Sequence, residues 1–157
     1  MSDAPLNHLV VVGSSAGGIE ALGRLLGGLK PGFPAPMILA QHLDPHHERH
    51  LQSVLQRKTE MPVVLVTDKE KMQPGSVYVV PANRHVVVDD GTVGVEGGEG
   101  GEEGDRPRPS VDLLLKTAAR SYGERLVAVI LTGAGSDGAA GAVEVKQAGG
   151  TIVIQDP

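Results

Sequence analysis

The chain has 157 residues and a formal net charge of −5, a length that fits one domain of the usual ~100–200 residues. With 40% apolar and 21% charged residues and no cysteine, it lies outside the disordered class and can form neither disulfides nor thiolate sites. An acidic balance with only 2% aromatics argues against nucleic acid as a partner, and the lack of any long apolar run or signal-type N-terminus points to a cytoplasmic protein without membrane insertion.

In chain order, residues 8–12 are apolar and β-branched and end at Gly13, and Ile19, Leu22, Leu25, Leu26 and Leu29 then recur at helical spacing. The pattern predicts strand, tight turn, helix. Residues 36–41 (PMILAQ) predict a buried strand, Asp44-Pro45 supplies an N-cap with a first-turn proline, and residues 46–58 continue as a helix. Two short strands are expected at 63–67 and 77–80 around a Pro74-Gly75 turn, and a third at 84–89 before an Asp90-Gly91 turn. Residues 91–108 are Gly- and acid-rich with almost no apolar anchor, and are expected to form a mobile surface loop. Ser110 can cap a helix running to about Tyr122; residues 126–131 (LVAVIL) predict a strand, 138–148 a helix and 151–154 a last strand. Strands that are apolar throughout and alternate with helices predict an α/β fold, a parallel sheet with helices on both faces, with the short middle strands as a small β-hairpin excursion.

Open parallel sheets bind ligands beyond the carboxyl ends of their strands, so the segments after Val12, Gln41 and Leu131 are the places to look. The first is Gly13-Ser14-Ser15-Ala16-Gly17-Gly18, a G-x-S-x-G centred on Ser15 between strand and helix, the context of a nucleophile elbow. The helix that follows presents free N–H groups where a tetrahedral oxyanion would form. A Gly-rich nest for phosphate is the competing reading, weakened because Ser15 stands where a dinucleotide motif needs glycine and no P-loop Lys-Ser/Thr follows.

The second segment starts at His42, where a base of near-neutral pKa would serve a serine nucleophile. A histidine merely packed at a strand end is the plain alternative, and zinc is another, since His42, His46 and His50 recur every four residues. Pro45 keeps His42 off the following helix, which weakens the zinc reading. In the third segment, Gly133-Ala134-Gly135-Ser136-Asp137-Gly138, Asp137 can cap the helix that follows or orient the histidine and stabilise its imidazolium. The N–H of Ala16, directly after the nucleophile, is the first candidate oxyanion donor, and the glycines around Ala134 offer others.

Together, Val11-Val12-Gly13-Ser14-Ser15-Ala16-Gly17-Gly18, Gln41-His42-Leu43, Val77-Tyr78-Val79-Val80-Pro81 with Arg84-His85, Arg108-Pro109-Ser110-Val111-Asp112, and Leu131-Thr132-Gly133 with Asp137-Gly138-Ala139-Ala140-Gly141 resemble the catalytic domain of CheB-type protein-glutamate methylesterases. The motifs run in family order over residues 8–155, and the resemblance implies a doubly wound, mainly parallel α/β sheet. The resemblance implies a Ser-His-Asp triad of Ser15, His42 and Asp137, with Ala16, Gly133, Ala134 and Gly135 forming the oxyanion hole or lying near the substrate. It implies hydrolysis of glutamate methyl esters on the cytoplasmic helices of methyl-accepting chemotaxis receptors, with deamidation of receptor glutamine as a related activity and no cofactor or metal. Ala16 stands where the family often has Thr, and Ala134 where it often has Met. Those departures leave a catalytically weak adaptor domain as the alternative reading. The resemblance further implies one catalytic domain over residues 1–157, without the usual receiver domain and cut short at its C-terminal end. A receiver or methyltransferase domain would then come from another chain or a longer parent protein.

Overall fold

The computed structural model describes residues 8–14, 19–30, 32–41, 48–81, 85–95, 111–131 and 139–155. The first strand, Leu9–Ser14 (β1), leads to helix Ile19–Gly27 (α1), strand Met37–Gln41 (β2) and helix Glu48–Gln56 (α2). The middle of the chain holds five short strands: Val63–Leu65 (β3), Lys69–Lys71 (β4), Val77–Val79 (β5), Val86–Asp89 (β6) and Thr92–Val95 (β7). Helix Val111–Tyr122 (α3), strand Leu126–Ile130 (β8), helix Ala139–Gln147 (α4) and strand Thr151–Ile154 (β9) complete the order.

Six strands pair in the order β3-β5-β2-β1-β8-β9, all parallel. Every residue of β1 and β2 is buried, as a sheet covered on both faces requires, and the side-chain alternation divides the core in two. Val10 and Val12 with Met37 and Leu39 pack against Leu22 and Leu26 of α1 and Leu51 and Leu55 of α2. Leu9 and Val11 with Ile38 and Ala40 pack instead with Leu114, Leu115 and Ala118 of α3 and Val145 of α4. The expected doubly wound α/β architecture is therefore present, and helices cover both faces.

The predicted hairpin excursion is an antiparallel sheet of three strands, β4-β7-β6. The strands expected beside it at 63–67 and 77–80 instead join the parallel sheet as β3 and β5, where β5 pairs with β2. Two strands of the antiparallel sheet also differ from the sequence reading. Thr92–Val95, expected within a loop spanning 91–108, instead pairs with both β6 and β4; residues 96–108 lie outside the described residues. Lys69–Lys71 is too charged to read as a strand, yet β7 offers it an unpaired backbone edge, and its exposed Lys69 and Lys71 face away from the core. The Asp90-Gly91 turn holds as expected, with Gly91 at φ +83° and its N–H donating to the Tyr122 hydroxyl at 3.1 Å. Burial pushes that hydroxyl's pKa up against the lowering effect of the Gly91 N–H, so α3 anchors the hairpin through a neutral phenol.

Contact between α3 and α4 is close. A Cβ added to Gly141 would lie 2.7 Å from Leu115 Cβ and 3.2 Å from Asp112 Cα, distances that force the helices apart. Gly141→Ala is expected to cost about 1–3 kcal/mol through overpacking, read as a lower urea midpoint at unchanged slope; an unchanged midpoint would show that this contact relaxes freely.

Candidate active site

Parallel register brings three strand ends side by side. Ser14 pairs with Gln41, Gly13 pairs with Ala40 and with Ile130, and the Leu131 N–H donates to the Gly13 carbonyl at 2.9 Å. The next residues in sequence are Ser15 after β1, His42 after β2 and Thr132 after β8. Neighbouring strands lie about 4.8 Å apart, so the three segments singled out in the sequence start side by side from the carboxyl end of the sheet. They also flank the switch point, because α1 after β1 and α4 after β8 pack on opposite faces. Ser15, Ala16, His42, Gly133, Ala134, Gly135 and Asp137 themselves lie outside the described residues.

The described residues next to them are unusual for a core. Ser14 and Gln41 are 1% and 2% exposed and end strands that are otherwise apolar. The Ser14 Oγ donates to Gln41 Oε1 at 2.6 Å, while Gln41 Nε2 is buried and has no acceptor among the described residues. Sequence reasoning passed over both, although a polar residue closing a uniformly apolar strand was the available signal. Gly13 has a different use: a Cβ there would meet Val111 Cγ1 at 3.1 Å, so its bare backbone lets the start of α3 approach the end of β1.

Asp112 stands in the first turn of α3. Its Oδ1 accepts the Gly141 N–H at 2.7 Å. Gly141 is the third residue of α4, whose N–H an N-cap side chain commonly takes. A carboxylate from the neighbouring helix thus serves one of the donors that an Asp at the β8–α4 junction would serve.

For the zinc reading, His50 is exposed on α2 while His42 and His46 lie outside the described residues, and no metal-holding group of three or more His, Asp or Glu occurs among the described residues. A cavity lined by His8, Pro36, Pro74 and Arg125 sits at the amino ends of the strands, away from the three segments. No described helix is long and apolar enough to cross a membrane.

Comparison with known proteins agrees with this geometry. A family model described as CheB methylesterase matches residues 10–157. A Leptospira interrogans protein, provisionally named protein-glutamate methylesterase/protein-glutamine glutaminase, is 37% identical over 149 residues, which cover 94% of this chain and 76% of the relative. A Thermotoga maritima protein-glutamate methylesterase/protein-glutamine glutaminase is 36% identical over 154 residues, with 94% of this chain matching 43% of that protein. The crystal structure of the Thermotoga maritima CheB methylesterase catalytic domain superposes with a TM-score of 0.84 at 36% identity, covering 94% of this chain and 79% of that one. A shared parallel sheet, one family model over nearly the whole length and relatives above 30% identity lead to one conclusion: the chain belongs to the CheB methylesterase family.

Proposed function

We propose that this domain is a serine carboxylesterase that hydrolyses glutamate methyl esters on chemoreceptors to glutamate and methanol, with Ser15 as nucleophile, His42 as general base and Asp137 as the orienting carboxylate. The observation that carries the reading is the register of β2, β1 and β8, which starts the three segments from adjacent strand ends. Ser15 Oγ attacks the ester carbonyl while His42 takes its proton; the tetrahedral oxyanion collapses, the C–O bond to the methoxy group breaks, and His42 returns the proton so that methanol leaves. Water, deprotonated by His42, then cleaves the acyl-enzyme and restores Ser15. Backbone N–H groups of Ala16 and of the Gly133-Ala134-Gly135 segment are the oxyanion donors in this scheme, so small side chains at Ala16 and Ala134 are compatible with catalysis. Neither metal nor cofactor enters the cycle.

The substrate is the cytoplasmic helical region of a methyl-accepting receptor, and control comes from a receiver or methyltransferase domain of another chain or a longer parent protein. Relatives whose names join glutaminase to methylesterase favour a second activity in which a glutamine carboxamide is hydrolysed at the same triad and ammonia leaves.

The test is methanol release from a methylated receptor fragment, with folding followed by circular dichroism. Wild type is expected to release methanol, and a well-folded wild type that releases none would favour a catalytically quiet adaptor. Activity is also expected to fall as pH drops through about 6.5, where an ordinary imidazole takes up a proton and ceases to be a base. A flat kcat/KM profile from roughly pH 5 to 8 would remove His42 from the base role.

A further inference from the structure

We propose that Ser14 and Gln41 are positioning residues for this reaction, and that the bond between their side chains fixes the spacing between the nucleophile and base segments. The inference rests on the reading of Ser15 and His42 given above. Ser14 and Gln41 are register partners at the ends of β1 and β2, each immediately before one of those two residues in sequence. Backbone pairing alone could align the strands further back, as it does for Val10 with Met37 through Gly13 with Ala40. At the last pair a side-chain bridge of 2.6 Å is added, between groups that are 1% and 2% exposed.

Burial makes the bridge stiff, because water cannot compete for either partner and the surrounding core restricts both rotamers. The cost of the arrangement is visible in the same side chain: Gln41 Nε2 is buried with no acceptor among the described residues. An apolar pair would fill this position without leaving a donor unpaired, so stability does not account for the choice of residues. Catalysis does, since a base that must stay within hydrogen-bond reach of its nucleophile loses rate steeply for small displacements. The strand ends are where such displacement begins, because the ladder stops there.

The test compares Ser14→Ala, Ser14→Thr, Gln41→Met and the double variant Ser14→Ala/Gln41→Met, using methanol release for rate and a covalent serine-directed probe to count active sites. Ser14→Ala is expected to lower kcat per titrated site about ten-fold with KM within about two-fold, and Ser14→Thr, which restores the hydroxyl, to recover most of the loss. The double variant is expected to be no slower than Gln41→Met alone, since the two side chains act as one unit. An unchanged kcat per titrated site in Ser14→Ala, or independent additive losses in the double variant, would overturn the proposal and leave the pair a matter of packing. Ser15→Ala separates this result from the assignment beneath it: if that variant keeps releasing methanol, the nucleophile reading fails, whereas loss in Ser15→Ala with full activity in Ser14→Ala defeats only the bridge.

Discussion

Ser15→Ala is expected to abolish methanol release, with a fall in kcat of about 10⁴–10⁶-fold and no change in the circular dichroism spectrum. The size of the effect follows from the nucleophilic role proposed for the hydroxyl. Without it there is no acyl-enzyme, and the remaining oxyanion donors and bound substrate can only assist direct attack by water. The fold is expected to tolerate the change, because the core beneath the strand ends is built from Leu9 to Val12 and their helix partners rather than from the segment after Ser14. The same variant should also resist covalent labelling by a serine-directed probe. Labelling that persists in Ser15→Ala would place the reactive hydroxyl elsewhere, with Ser14 and Ser136 the neighbouring serines in the sequence to examine next.

Asp137→Asn carries the second large expectation, a loss of roughly 10⁴-fold in kcat from a wrongly held imidazole. This substitution distinguishes the two roles open to Asp137. Asparagine caps helices about as well as aspartate, so a capping role predicts little change in either stability or rate. One donor in the first turn of α4, the Gly141 N–H, is taken by Asp112 at 2.7 Å. Asp112→Ala is accordingly expected to show the opposite pattern: a stability loss of about 1 kcal/mol from the vacated helix N-terminus, with kcat within a few-fold of wild type. Denaturant midpoints and kcat measured on both variants separate the two positions. Full activity in Asp137→Asn would sink its place in the triad.

How much of this was legible in advance depends on whether the cause was local. Uniformly apolar runs such as Leu9–Val12 and Met37–Ala40, each followed by a helical repeat, sufficed to predict an α/β sheet covered on both faces, because burial on both sides leaves its mark on every residue of the strand. The candidate triad also came from local features, since Ser15, His42 and Asp137 each follow a predicted strand and G-x-S-x-G has its own local geometry, and its test is the pair of variants above. Strand β4 and the 92–95 strand were not legible: each forms because a partner's free backbone edge is near, and a Lys-Glu-Lys tripeptide carries no sign of that. The placement of β8 beside β1, 117 residues earlier by the pairing of Leu9 with Leu126 at their first shared register, is likewise a matter of long-range packing. So are the Ser14–Gln41 bridge and the Asp112 contact to α4, which link residues 27 and 29 positions apart. The sequence by itself determined the helices, the strands of the parallel sheet and the candidate residues for chemistry, because those follow from side-chain type and local period. Only the tertiary structure decided which strand ends are neighbours and which buried polar groups meet across them, because hydrogen bonds between distant segments exist only once the sheet has closed the distance.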